Sequence, residues 1–286
     1  MTVEIHDLNA NGMTFRCRTA GGDAGEPVLL LHGFPETSHM WISLMERLAD
    51  EGYRCLAPDQ RGYSPGARPI GIEHYNYSSM AADVLALADA CGVGRFHLIG
   101  HDWGAGAGWS TVATAPERLL SWTALSVPHM AAFGKAIRED EEQKNKSTFV
   151  QFFQHPGAAE AALSANDFAA LKGIWTASSP DEVQEYLRVF SQPGALEAAL
   201  NWYRGSRGLD PVDPQVLFGP VDVPTLMIWG NTDMAIGRKA VDDAAAFMRG
   251  PYTFVELDAG HWLIQEQPER VATEIVAHLR RNAASA

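Results

Sequence analysis

Asp102 sits at the centre of Gly100-His101-Asp102-Trp103-Gly104, between the apolar run Arg95-Phe96-His97-Leu98-Ile99 and a helix-like stretch. A small-x-nucleophile-x-small turn from strand to helix is tight, and a glycine two places either side of the nucleophile relieves its clashes. The helix that follows aims its N-terminal N–H groups at negative charge in front of it. A carboxylate in this place is already anionic, whereas a hydroxyl must first lose a proton. When a carboxylate attacks a saturated carbon it leaves an alkyl ester that water can cleave. Serine would leave an ether with no ready exit. The residue type therefore points to covalent cleavage of a carbon–oxygen or carbon–halogen bond at a saturated carbon. Gly-x-Asp-x-Gly by itself is also an ordinary loop in a chain with 26 glycines, so its weight rests on what accompanies it.

What accompanies it is an acid and a histidine, downstream in the order nucleophile, acid, His. The run Thr225-Leu226-Met227-Ile228-Trp229-Gly230 ends as a strand, and Asn231-Thr232-Asp233 follows as a loop at its C-terminal edge. Asp258-Ala259-Gly260-His261-Trp262 follows the last strand. A lone histidine among ten would read as a surface or satisfied core residue; the position of His261 after the final strand favours a base. Asp258 competes with Asp233 for the acid, but three residues from His261 it is better suited to capping, and Asp233 is preferred. Upstream, His32-Gly33-Phe34-Pro35 follows another strand, and its loop can turn the Phe34 N–H toward the same point as that of Trp103. His32 reads as a packing and hydrogen-bonding residue. Asp59-Gln60-Arg61-Gly62-Tyr63 reads as salt-bridge and turn chemistry that fixes a loop.

These groups need a scaffold of strands ending at one edge. Short apolar runs at Val28–Leu31, Tyr53–Ala57, Phe96–Ile99, Trp122–Val127, Pro224–Trp229 and Thr253–Leu257 alternate with helical stretches such as Met80–Ala90 and Val271–Arg280. That alternation is the pattern of a parallel, doubly wound α/β sheet with crossover helices. Val3–Leu8 and Met13–Thr19 form an expected hairpin across Asn11-Gly12. From about Met130 to Phe218 the rhythm breaks into helical stretches, including Ala158–Leu163, Asp181–Phe190 and Leu196–Tyr203. This inserted block, 130–218, is expected to form a helical lid over a core made of 1–129 and 219–286. Arg138-Glu139-Asp140-Glu141-Glu142 reads as a solvated helix face, and the proline-rich stretch from Leu209 to Pro214 as the return linker.

Composition narrows the setting. The 286 residues, 46% hydrophobic and 20% charged, are globular in character and sufficient for a large core. A net charge of −13 argues against nucleic acid and anionic membranes as partners. Cys17, Cys55 and Cys91 are odd in number and widely spaced, against a disulfide framework or zinc cluster. The start of the chain has no signal-like pattern and no apolar run reaches the ~18 residues of a membrane span, so a cytoplasmic monomer or homodimer is expected.

Taken together, HGFP at 32–35, DQRGYS at 59–64, GHDWGA at 100–105, Asp233 and GHW at 260–262 resemble the α/β-hydrolase fold. The aspartate nucleophile makes the chain similar to the epoxide hydrolase and dehalogenase branches. Leu200-Asn201-Trp202-Tyr203-Arg204 resembles the lid segment whose tyrosine hydrogen-bonds the epoxide oxygen in epoxide hydrolases, and Phe153-Gln154-His155-Pro156-Gly157 also resembles that family's lid. Fluoroacetate dehalogenases carry arginines where this chain has Trp103 and Gly106. Haloalkane dehalogenases commonly have Asn where it has Phe34, and many place the acid where Ser126-Val127-Pro128-His129 offers no carboxylate. The resemblance therefore implies an epoxide hydrolase. Asp102 would be the nucleophile, His261 with Asp233 the base, Tyr203 the acid, and the Phe34 and Trp103 N–H groups the oxyanion hole. No cofactor or metal is called for. Lid aromatics including Phe149, Phe152, Phe153, Trp175 and Trp202 suggest a small apolar or aryl-bearing epoxide, with Phe149, Phe152, Trp202 and, from the core, Trp262 as its expected contacts. One departure stands out: the second lid tyrosine of that family is matched by Phe149, which has no hydrogen to donate. Either Tyr203 acts alone, another donor substitutes, or the preferred substrate is not an epoxide. A haloalkane dehalogenase and a non-catalytic ligand receptor of the same fold are the alternatives.

Overall fold

In the computed structural model, which describes residues 2–206 and 218–284, the chain opens with an antiparallel hairpin. Strands β1 (Glu4–Ala10) and β2 (Met13–Ala20) meet at Asn11 and Gly12, both at positive φ, as a two-residue hairpin turn demands. The other strands are β3 (Glu26–Leu31), β4 (Tyr53–Pro58), β5 (Phe96–His101), β6 (Leu119–Leu125), β7 (Thr225–Gly230) and β8 (Tyr252–Leu257). They form one sheet in the order β1-β2-β4-β3-β5-β6-β7-β8, parallel from β4 to β8.

The order of the strands follows from the crossovers. The step from β3 to β4 runs one way along the sheet and the step from β4 to β5 runs back past β3. Right-handed crossovers therefore put the intervening helices on opposite faces. Helix α1 (Ile42–Asp50) packs with the C-terminal helix, whereas α2 (Tyr77–Ala90) packs with α3 (Trp103–Thr114). With both faces covered, β5, β6 and β7 are buried throughout, which is why they read as unbroken apolar runs. The reversal of direction lies between β3 and β5, where open sheets leave a crevice at their C-terminal ends.

Between β6 and β7 the described residues hold no strand. They form α4 (Met130–Glu139), α5 (Glu141–Lys146), α6 (Phe149–Phe153), α7 (Ala158–Ile174), α8 (Pro180–Phe190) and α9 (Ala195–Gly205). After β7 come α10 (Arg238–Ala244), the short α11 (Leu263–Glu266) and α12 (Pro268–Arg281). None of the helices among the described residues is long and apolar enough to cross a membrane. Polar contacts join the inserted helices to the sheet. Glu185 of α8 meets Arg16 at 2.6 Å and Arg18 at 2.9 Å, both on β2, and the Trp202 indole of α9 donates to the Arg61 carbonyl at 2.9 Å.

The expected elements are largely present, with local corrections. Strand β6 stops at Leu125 instead of Val127, because Ser126 turns to φ 69° and the Val127 N–H folds back to the Leu125 carbonyl. The charged run 138–142 is not one helix face. It is the break between α4 and α5, where Asp140 turns extended and its carboxylate caps the Gln143 N–H at 2.9 Å. The proline-rich return at 209–214 lies outside the described residues.

One close approach sets the geometry of the central turn. A Cβ added at Gly104 would lie 2.0 Å from the Leu31 carbonyl oxygen, so only glycine lets α3 pack on the end of β3. Gly104→Ala is expected to lower the unfolding free energy by about 3 kcal/mol or more, the upper range for overpacking. Gly94→Ala, where nothing lies within 4 Å, is expected to change it by less than about 0.5 kcal/mol. Urea denaturation of both variants measures the difference.

Candidate active site

Five strand ends supply the site. Asp102 follows β5 at φ 51° and ψ −120°, a backbone conformation that costs a non-glycine residue about 1–3 kcal/mol. The elbow holds because its neighbours leave no alternative. Gly104 seats the helix below it, and a Cβ on Gly33 would come within 2.4 Å of the Asp102 Oδ1. The loop after β3 can therefore close on the carboxylate, and the Phe34 N–H donates to Oδ1 at 2.8 Å. Trp103 opens α3, so its N–H has no partner within the helix.

Asp233 and His261, after β7 and β8, complete the group. The Nδ1 of His261 lies 3.0 and 2.9 Å from the two oxygens of Asp233, and its Nε2 lies 3.5 Å from Asp102 Oδ2. Asp233 is fully buried. Its Oδ1 accepts the N–H groups of Ala235 and Ile236 at 2.8 and 2.9 Å, which orients the carboxylate. Burial raises the Asp233 pKa, but the charge and hydrogen bond of His261 and the hydroxyl of Ser126 bring it below the usual carboxylate value. Burial disfavours the charged imidazole of His261. The Asp233 charge and then the Asp102 hydrogen bond outweigh it and push His261 up to about 10. The two aspartate side chains thus flank the His261 ring and favour its charged form. Ser126 is the member that sequence reasoning passed over for want of a carboxylate: its Oγ is 2.6 Å from Asp233 Oδ2 and 2.9 Å from His261 Nδ1.

Tyr203 comes from the opposite side, on α9. It is buried among Phe34, Trp103, Phe149 and Phe153, with ring centroids 4.8 to 6.2 Å apart. Burial, and next the charge of Asp102, hold its phenol well above the usual pKa, so it carries its proton. Two cavity arms meet at Asp102 and Tyr203. The smaller, about 30 Å³, runs toward Tyr77, Gly106, Met130 and Phe133. The larger, about 160 Å³, runs between Phe34, Ile174, Met234, His261 and Trp262. Phe149 lines both arms. Trp262 lines the larger, but Phe152 and Trp202 line neither. Trp202 is fully buried against His32 and Tyr63, and Phe152 is 42% exposed.

The remaining candidates are structural. The Gln60 N–H donates to Nε2 of His32 at 3.0 Å, which puts the ring proton on Nδ1 facing the Gly33 carbonyl, and burial lowers its pKa to about 4. Asp59 accepts from the Ser38 N–H and hydroxyl, and Arg61 pairs with Asp83 at 2.6 Å, so the DQRGYS loop is fixed by its charges. Asp258 is exposed and neither contacts His261 nor caps a helix: α11 begins after Trp262. His101 does have a part that its motif did not reveal. Its Nε2–H donates to the His261 carbonyl at 2.9 Å, and its Nδ1 faces the buried Glu36 at 3.4 Å. Tyr186 packs on Trp175, and its hydroxyl also reaches Glu36, at 3.3 Å. Among the described residues no cluster of His, Cys, Asp and Glu could hold a metal ion.

Known proteins share this architecture. A family model described as alpha/beta hydrolase fold matches residues 26–268. The AB hydrolase superfamily protein YfhM of Bacillus subtilis is 35% identical, with 97% of this chain and 98% of that protein covered. Epoxide hydrolase A of Mycobacterium tuberculosis is 30% identical over 95% of this chain and 96% of that protein. The crystal structure of epoxide hydrolase A from Mycobacterium thermoresistibile superposes with a TM-score of 0.86 at 27% identity, covering 99% of this chain and all of that one.

The charges make a prediction about the histidine. Asp102 raises the His261 pKa by both hydrogen bond and charge, so Asp102→Asn, which keeps the shape and removes the charge, should lower it. NMR titration of the His261 ring in the two proteins is expected to show the midpoint of the variant at lower pH. An unchanged midpoint would leave Asp233 as the sole cause of the shift.

Proposed function

The chain belongs to the α/β-hydrolase fold family, and from that premise we propose that it is an epoxide hydrolase working through an ester on Asp102. The observation that carries this reading is an aspartate at the elbow, with its carboxylate against the Phe34 N–H, facing a buried tyrosine and an Asp233–His261 pair. Relatives named epoxide hydrolase, at 30% identity and above over nearly the whole chain, support the same activity.

The chemistry runs in two steps. Asp102 Oδ2 attacks one epoxide carbon, the carbon–oxygen bond breaks, and the Tyr203 hydroxyl supplies the hydrogen bond and proton for the departing oxygen. Esterification then removes the negative charge that helped hold the His261 proton. With Asp233 alone beside it, the imidazole gives up that proton to the phenolate left at Tyr203, which restores the phenol, and becomes a base. Its Nε2 takes a proton from water as the water oxygen bonds to the ester carbon. The Phe34 N–H, already on Oδ1 in the resting site, and the Trp103 N–H face the oxyanion, each donor worth about 3 kcal/mol in comparable chemistry. The centre collapses, the ester bond to the diol oxygen breaks, the proton on His261 passes to that oxygen, and the carboxylic acid left at Asp102 gives its own proton to His261, which restores the starting state.

The cavity selects the substrate. Its walls are apolar, and an apolar space of ~150 Å³ accommodates benzene, so the larger arm of about 160 Å³ suits one phenyl-sized group. The smaller arm, about 30 Å³, takes little more than a methyl. The inserted helices α4 to α9 act as the cap that closes both arms over the strand ends. The unpaired Cys17, Cys55 and Cys91 of the core favour a reducing compartment such as the cytoplasm, where the enzyme works as a monomer or homodimer.

The test is direct. With His261→Gln the ester forms and persists, so intact-mass spectrometry after styrene oxide should show the protein one substrate heavier, at Asp102. Absence of the adduct, with normal turnover, would remove the covalent scheme. Tyr203→Phe should slow ester formation by about ten- to a hundredfold, the worth of a hydrogen bond to a charged oxygen, and Phe149→Tyr should speed it. The arms add a size rule: kcat/KM for styrene oxide should exceed that for trans-stilbene oxide by about tenfold or more. A 1-haloalkane carried as a parallel substrate should yield little halide; halide release matching epoxide turnover would favour the dehalogenase reading.

A further inference from the structure

Ser126 carries a side chain where its backbone favours none. It follows β6 at φ 69°, a region that costs a residue with a Cβ about 1–2 kcal/mol and that glycine occupies freely. Its backbone is held there by the N–H bonded to the Ile228 carbonyl at 2.9 Å. The side chain is fully buried, and its two polar neighbours are Asp233 Oδ2 at 2.6 Å and His261 Nδ1 at 2.9 Å. The other oxygen of Asp233 already accepts two backbone N–H groups. Oδ2 is therefore the oxygen left to be oriented, and Ser126 is the side chain that orients it.

We propose that Ser126 is a positioning residue for the ester-hydrolysis half of the reaction, an inference that rests on the covalent reading above. Its hydroxyl donates to Asp233 Oδ2, and the remaining lone pairs on Oγ face the Nδ1–H of His261. The carboxylate and the hydroxyl oxygen together keep the ring proton on Nδ1, so that Nε2 presents its lone pair to water. Ser126 transfers no proton itself: water gives one to Nε2, its oxygen bonds to the Asp102 ester carbon, and the diol oxygen leaves with that proton. Ester formation makes no use of this arrangement, because Asp102 attacks as a carboxylate and Ser126 does not contact it. A strained backbone at a buried polar residue, with both of its partners in the same dyad, marks a position retained for function over stability.

The two half-reactions separate this role from a structural one. Styrene oxide serves as probe, with rapid quenching and intact-mass spectrometry following the ester in wild type, Ser126→Ala and Ser126→Gly. Slower hydrolysis with unaltered alkylation lowers kcat and KM together and leaves kcat/KM within twofold, while the ester accumulates. We expect ester decay to slow about tenfold or more in both variants. Ser126→Gly relieves the backbone strain as well as removing the hydroxyl, so urea denaturation should find it more stable than Ser126→Ala. An equal hydrolysis defect in two proteins of unequal stability ties the defect to the hydroxyl. Ester decay at the wild-type rate in both variants overturns the proposal, as does normal decay in Ser126→Gly alone or an equal loss in ester formation and decay. If no ester forms in any protein, His261→Gln included, the covalent reading falls and this inference with it.

Discussion

Everything in the site depends on a backbone that has no room to relax. Asp102 is held at φ 51° because α3 lies so close to the end of β3 that no Cβ fits at Gly104, and the returning loop lies so close to the carboxylate that none fits at Gly33. Close packing is what turns an unfavourable conformation into a fixed one. The turn delivers a side chain at the head of a helix, with one carboxylate oxygen on the Phe34 N–H and the other toward His261. A residue placed by a flexible loop would have to be ordered anew in each turnover.

Charge is the second constraint. A charged imidazole in a buried apolar cavity is stable only with negative charge beside it, and His261 has Asp233 and Asp102. In the proposed reaction Asp102 becomes an ester, one of those two negative charges is lost, and the preference of His261 for its extra proton weakens. The inserted helices are tied down by another buried set of charges, Arg16, Arg18 and Asp59 with Glu185. There burial would raise the Glu185 pKa, but hydrogen bonds from Arg188, Arg18 and Arg16 hold it far below the usual carboxylate value. Removing one partner of such a set would leave a buried charge uncompensated, which costs far more than an exposed pair contributes.

Shape follows from aromatic side chains. Tyr203 is enclosed by Phe34, Trp103, Phe149 and Phe153, so its hydroxyl faces the cavity in surroundings that keep it protonated. Phe149 borders both arms and brings no hydroxyl to them. Among the described residues Tyr203 is the phenol at the junction of the two arms.

The sequence alone was enough for the elbow at Asp102, the strand ends that carry Asp233 and His261, the Asn11-Gly12 hairpin and the alternation of strand and helix. Each is a local pattern: a turn residue, a strand end, a period of burial. It also sufficed to set His32 and the DQRGYS loop apart from the chemistry, since tight turns and paired charges are legible within a few residues. Only the tertiary structure decided which residues meet across the chain. Ser126 joins Asp233 and His261 from positions 107 and 135 residues away, and no local signal marks such a contact. Trp202 and Trp262 are the same residue type, yet one is buried behind His32 and the other borders the cavity. Asp258 and Asp233 both follow strands, but only Asp233 is turned toward the histidine. Local conformation is encoded by neighbours in sequence; the choice among equivalent side chains is made by the packing of strands and helices far apart in the chain, and is not written in any one segment.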